Sequence, residues 1–218
     1  MKVLAVIGMG PGVSAAVARR FAREGFSVAA IARNPDKLAA QVEELAKSGA
    51  RAEAFSADAG EPGALRAALS SVAARLGEID VLVYNPVGVH YKPLSELTAE
   101  ELNADLRLSV GGALAAAQAL LPAMKARGSG TLLFTGGGYA FEPTPMLASV
   151  GAGKAALRNL AFSLYADLKD GGIHAATVTI GGVVKAQTPF DPDAIAESYW
   201  QLHMQPKGSF EREIVFKG

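Results

Sequence analysis

The sequence predicts an α/β fold, a doubly wound parallel sheet with helices on both faces. Three observations carry that expectation. Short apolar runs alternate with longer helical patterns, the runs are continuously apolar, and the links between them are short. Continuous apolar strands belong to a sheet buried on both faces. Regular strand–helix alternation with short links demands parallel strands and right-handed crossovers.

Strands are read at 2–8 ("KVLAVIG"), 26–32 ("FSVAAIA"), 51–57 ("RAEAFSA"), 80–85 ("DVLVYN"), 131–136 ("TLLFTG"), 174–180 ("HAATVTI") and 212–217 ("REIVFK"). Helices are read between them near 12–24, 36–48, 62–76, 99–126, 150–170 and 193–203. Pro62 can open the third helix, and Asp191-Pro192 is a cap followed by a first-turn proline. No linker, repeat or charge block divides the chain, so one domain over 1–218 is expected.

Composition excludes several function classes. Lys+Arg and Asp+Glu both number 21, which leaves no net charge to gather nucleic acid or an anionic membrane. With no cysteine there is no thiol nucleophile, disulfide or thiolate metal site. His90, His174 and His203 lack metal-ligand spacing; each is expected in an ordinary surface or loop position, and no metal is expected. The opening "MKVLAVIGMG" is interrupted by glycine too early for a signal peptide or a membrane span, and a cytoplasmic protein is the expectation.

The first strand runs into "GMGPGVSAAVARRFAREG". Gly8, Gly10 and Gly12 occupy the strand-to-helix turn, where side chains would block a phosphate, and Val13 and Ser14 open the helix behind it. The free amides and dipole of a helix start favour an anion there. The common G-x-G-x-x-G spacing is not met, because Val13 takes its last place; G-x-x-x-G-x-S is met by Gly8, Gly12 and Ser14. A glycine turn that serves only strand–helix packing is the alternative. The second strand ends "AIARNPDKL", where an NAD site would carry an acid for the ribose hydroxyl. Arg33 stands there instead, and a guanidinium suits a 2′-phosphate. NADP(H) is therefore expected over NAD(H), although Pro11 removes a second basic position often used for the same phosphate.

At these residues the chain resembles the short-chain dehydrogenase/reductase family. Asp58 after the third strand, Asn85 in "LVYNPVG", the long helix with "AAAQALLPAM" and "AGKAAL" around Lys154 extend the resemblance over essentially the whole chain. It implies a Rossmann-type sheet of about seven strands in the order 3-2-1-4-5-6-7 that binds a dinucleotide. Asp58 would lie near the adenine, Lys154 would hold the nicotinamide ribose, and Gly182 with Val183 would meet the carboxamide.

The family's catalytic set is asparagine, serine, tyrosine and lysine, with the tyrosine one helical turn before the lysine. Here Lys154 matches, but the tyrosine position is Val150, the serine position is Gly137 and the asparagine position is Ser109. The enoyl-reductase spacing fails too, because it falls on Leu147. Substitute hydroxyls or acids are Tyr139 in "TGGGYAF", and His90 and Tyr91 after the fourth strand. Ser149 adjoins Val150 but lies about 140° around the helix from Lys154. Loss of a general acid typically costs about 10²–10⁴ in rate.

After the sixth strand, "TIGGVVKAQTPFDPDAIAESYW" leaves no room for the two-helix cover of many relatives, so an open crevice is expected. Small residues (Gly111, Gly112, Ala115, Ala116, Ala119) fit the family's helix pairing between subunits, which implies a homodimer or homotetramer. Two functions follow: an atypical oxidoreductase of unknown small-molecule substrate, or an inactive relative that senses NADP(H) or presents a surface to a partner. Scaffolding without cofactor conflicts with the retained glycine loop, Arg33, Asp58 and Lys154.

Overall fold

The computed structural model describes residues 1–218. One seven-stranded, wholly parallel sheet has the order β3-β2-β1-β4-β5-β6-β7, as expected. Its strands are β1 (Val3–Ile7), β2 (Ser27–Ala32), β3 (Ala52–Ser56), β4 (Val81–Tyr84), β5 (Gly130–Gly137), β6 (Ile173–Ile180) and β7 (Glu213–Phe216). The sequence order reverses between β1 and β4, so a crevice opens beyond the carboxyl ends of these strands. Register carries Ile7 against both Ile31 and Tyr84, which aligns the ends of β1, β2 and β4 under it.

The helices are α1 (Val13–Ala22), α2 (Pro35–Lys47), α3 (Pro62–Leu76), α4 (Ala99–Leu106), α5 (Gly112–Arg127), α6 (Ala148–Leu168) and α7 (Pro192–Met204). Two cores result, one on each face. Val3, Ala5, Ile7, Leu82 and Leu132 pack under α3, α5 and α6, while Leu4, Val6, Val81, Val83 and Leu133 pack under α1 and α7. Odd and even residues of β1 thus serve opposite cores, which is why its whole run is apolar.

Several expectations are corrected. The edge strands β3 and β7 are only partly buried, because an edge has one covered flank. The helix read as 99–126 is interrupted by a π-turn over Arg107–Gly111. The helix read from 150 starts at Ala148 and ends at Leu168. His174 is not a surface residue: it lies in β6, buried, with Nε2 against the Glu211 carbonyl at 2.7 Å. His203 is largely covered as well, with Nδ1 and the Thr131 hydroxyl 3.0 Å apart.

Part of the small-residue pattern has an internal cause. A Cβ on Gly112 would overlap the Ala59 carbonyl and the Tyr84 hydroxyl, and Ala115 and Ala116 are buried within the chain itself.

Candidate active site

The glycine loop is built for close approach from outside. Gly8 adopts φ +81° with Pro86 N 2.8 Å from where its Cβ would stand, so the loop after β4 packs on this residue. Gly12 adopts φ +88°, and neither it nor Gly10 would meet any atom within 4 Å of an added Cβ. The glycines therefore leave space on the solvent side that the protein does not fill. No side chain caps α1, whose first-turn amides include those of Val13 and Ser14. The buried Ser14 hydroxyl donates to the Gly8 carbonyl at 2.9 Å and accepts from Asn85 Nδ2 at 2.6 Å. This bond ties the end of β4 to the phosphate loop, so Asn85 shapes the loop.

Beside the loop lies a cleft of about 310 Å³ bordered by Gly8, Ile31, Arg33, Asn34, Lys37 and Val87, among others. Arg33 is exposed and makes no ion pair. Lys37 is a second cation that sequence reasoning missed. Its signal was the cap: Asn34 accepts from Lys37 N at 2.9 Å, which fixes the first turn of α2 beside the end of β2. No acidic residue borders this cleft. Asp58 is not among its lining residues; its carboxylate accepts from Gly60 N at 2.8 Å and shapes the turn after β3.

On the other side of β4, the buried Lys154 donates from Nζ to the Thr135 carbonyl at 2.6 Å. Burial pushes its pKa down from 10.5 to about 8. Gly137 stands at the end of β5, where an added Cβ would contact the lysine stem at 3.6–3.7 Å, an ordinary packing distance. Val150 is buried one turn before Lys154 and carries no proton to exchange. Ser149 is also buried, and its hydroxyl lacks a hydrogen-bond partner.

Ser109 lies in the π-turn, where its hydroxyl accepts from Gly88 N at 3.1 Å. A Cβ on Gly153, next to Lys154, would come within 3.3 Å of that serine. The position thus joins three elements. The π-turn also presents the Leu108 carbonyl to the Tyr84 hydroxyl, and burial holds that phenol well above its usual pKa.

Tyr139 is half-exposed in a short turn after β5; its backbone carbonyl approaches Gly151 of α6. Gly138 in the same turn lies against Gly181, so the loops after β5 and β6 adjoin. Gly182 backs onto the Phe190 ring, and Val183 is fully presented to solvent. The segment 181–191 contains no helix. It is a tight turn closed by Lys185 N to the Phe190 carbonyl at 3.1 Å and Gln187 N to Asp191 at 2.7 Å. His90 is taken up with α4, its Nδ1 and Asp105 Oδ2 being 2.9 Å apart.

The sheet order, the glycine loop at the β1–α1 turn and the lysine on α6 define a dinucleotide-binding protein of the dehydrogenase type. The sequence model described as short chain dehydrogenase matches residues 2–192, and the chain belongs to that family. An oxidoreductase (asL5) of Sarocladium schorii is 28% identical over 94% of this chain and 80% of its own length. A short-chain dehydrogenase from Rhodopseudomonas palustris superposes with a TM-score of 0.88 at 30% identity, covering 100% of this chain and 98% of that one. A metagenomic short-chain oxidoreductase in complex with NADP superposes at 0.89 with 28% identity, covering 98% and 96%. The family binds nicotinamide dinucleotides, and the space left at Gly10 and Gly12 fits such a group here.

Proposed function

We propose that this chain is an NADP(H)-dependent oxidoreductase acting on a carbonyl or alcohol carbon without the family's usual tyrosine. The observation that carries the reading is the pair Arg33 and Lys37 on a cleft with no acidic lining, next to an unfilled glycine loop. Two cations suit a ribose 2′-phosphate and offer nothing specific to a free 2′-hydroxyl.

A bound nicotinamide dinucleotide supplies or accepts the hydride. Gly8, Gly10 and Gly12, with the amides of Val13 and Ser14, would hold the pyrophosphate. Asn85 keeps that loop in shape through Ser14. Asp58 would set the turn beside the adenine, and Gly182 and Val183 would meet the carboxamide. Lys154 would hold the nicotinamide ribose with the donors that Thr135 leaves free. Neither Gly137 nor Val150 can donate a proton. The proton would come from the Lys154 ammonium, or from Tyr139 in the neighbouring turn. The protein works in the cytoplasm as a homodimer or homotetramer.

A second reading, an inactive NADP(H) sensor or partner-binding protein, draws on Gly137 and Val150 standing where two hydroxyls are usual. Calorimetric titration with NADPH and NADH, followed by hydride-transfer assays on carbonyls and enones, separates the two. NADPH is expected to bind about tenfold or more tightly than NADH, and Arg33→Ala is expected to erase the difference. NADPH binding without turnover on any substrate establishes the sensor. Failure of both nucleotides to bind at millimolar concentration overturns both readings. Loss of turnover in Tyr139→Phe assigns the proton to Tyr139; unchanged turnover assigns it to Lys154.

A further inference from the structure

The segment after β4 runs antiparallel to α4 and the π-turn that follows it, and is fastened to them at every second residue from Gly88 to Lys92. Gly88 N donates to Ser109 at 3.1 Å, His90 Nδ1 lies 2.9 Å from Asp105, and Lys92 Nζ lies 2.7 Å from Glu101. Steps of two along the segment match steps of four along the helix. An extended chain rises about 6.6 Å in two residues and a helix about 6 Å in four, so the three rungs stay in register. A side chain at position 88 would overlap Asp105, which makes the first rung a glycine.

A ladder on the even residues turns the odd ones away from α4. Val89 and Tyr91 are exposed by 53% and 71%, while Val87, exposed by 38%, borders the nucleotide cleft. Apolar side chains of this size stand in water at a cost, and a contiguous group of them marks a binding surface. The group continues across the neighbouring loops. Lys92 N bonds the Met146 carbonyl at 3.2 Å, joining this segment to the β5–α6 connection, where Tyr139 is exposed and the exposed Phe141 ring lies 4.9 Å from the Arg158 guanidinium. That connection adjoins the β6 loop with exposed Val183 and Val184. Of twelve exposed large apolar residues in the chain, eight (with Leu94) lie on these three loops. All three loops leave the carboxyl ends of strands that border the crevice.

We infer that the substrate is a bulky, uncharged, largely apolar carbonyl compound, aromatic or long-chain, gripped by the side chains that the α4 ladder turns outward. The inference rests on the oxidoreductase reading and assigns its substrate class. The short 181–191 turn brings no helix of its own to cover the crevice, so the occupant itself must shield these groups. Small hydroxylated substrates such as sugar acids would leave them wet.

The test uses the full-length protein and two readouts. The first is binding of the uncharged dye Nile red to the protein without nucleotide, with displacement by aryl and long-chain ketones. The second is NADPH oxidation on ketones of graded apolar area set against hydroxylated and carboxylated ones. Dye displacement by the apolar ketones alone is expected, with KM falling as their apolar area grows. Tyr91→Ser and Val183→Ser are each expected to weaken dye binding and raise KM for the bulky ketones about tenfold. His90→Ala, which breaks a rung, should act in the same direction, while His90→Gln rescues in part. Nucleotide affinity measured by calorimetry stays within twofold in Tyr91→Ser, His90→Ala and His90→Gln.

Preference for hydroxylated or charged substrates overturns the inference, as does dye binding that no ketone displaces. If light scattering shows that Tyr91→Ser or Val183→Ser splits an oligomer while dye and ketone binding are unchanged, the surface is an interface between copies and the inference falls. Loss of nucleotide binding in the unsubstituted protein strikes the oxidoreductase reading instead, and ketone displacement of the dye still decides the apolar site.

Discussion

Lys154 is the lysine to which the proposed chemistry is assigned, and its energetics can be measured without any substrate. Burial favours the free amine inside the protein, whereas the unfolded chain keeps the proton up to the ordinary pKa of 10.5. Between about pH 8 and that value the unfolded state binds one proton more than the native state, so stability climbs with rising pH across this window. Below it the buried ammonium opposes folding by about 3 kcal/mol. Lys154→Met removes that charge and keeps most of the stem. It is expected to raise stability by about 1–3 kcal/mol at pH 7, with the gain fading as pH rises toward 10. Urea denaturation at several pH values checks this; a variant less stable at pH 7 would show that the Thr135 bond outweighs the burial.

At the scale of elements, the end of β5 and the first turn of α6 retain the spacing of a family site from which two hydroxyls are missing. Gly137 sits where a Cβ meets the Lys154 stem at ordinary contact distance, so Gly137→Ser needs no rearrangement there. Combined with Val150→Tyr, it is expected to raise kcat/KM for ketone reduction about 10²-fold or more, the usual contribution of a positioned acid. A double variant that folds, binds NADPH and gains nothing would show that proton transfer does not limit this protein. The π-turn between α4 and α5 was not legible in the sequence. "LRLSVGG" continues a helical pattern, and the bulge depends on distant partners, Gly88 for Ser109 and Tyr84 for Leu108. Lys37 escaped for a similar reason, since its place beside Arg33 follows from how the Asn34 cap turns α2. The strands, the glycine loop and the lysine helix were legible because each is written in contiguous residues, whereas the strand order came with the family resemblance those residues carry. The burial of His174 was not: what covers it is Phe210, stacked on its ring at 4.3 Å from a distant part of the chain.

The whole molecule divides its tasks between the two ends of the sheet. The carboxyl ends carry the candidate chemistry, while the amino ends carry a buried histidine pair that governs behaviour in acid. Burial, reinforced by Lys2 and opposed by Asp80, lowers the His203 pKa to about 4, and burial lowers that of His174. Their neutral forms are folded into place, so stability is complete above the ordinary value of 6.5 and is lost as pH falls from there toward 4. The sole tryptophan, Trp200, lies with its ring 5.5 Å from His203 and reports on this region. Urea midpoints followed by Trp200 fluorescence are expected to drop between pH 6.5 and 4.5. His203→Gln, which can keep a bond to Thr131, should flatten that decline; an unchanged decline would place the acid sensitivity elsewhere.

The turn at 181–191 has a kinetic consequence. Enzymes of this class often spend their turnover time waiting for a mobile cover to open and release product. The short 181–191 turn, closed by Lys185 N to the Phe190 carbonyl and Gln187 N to the Asp191 carboxylate, carries no helical cover to swing open. Arrival and departure are then set by diffusion and by adhesion to the rim. Replacing the transferred hydrogen of NADPH by deuterium is expected to slow the steady-state rate, and an unchanged rate would show that a step other than hydride transfer limits turnover.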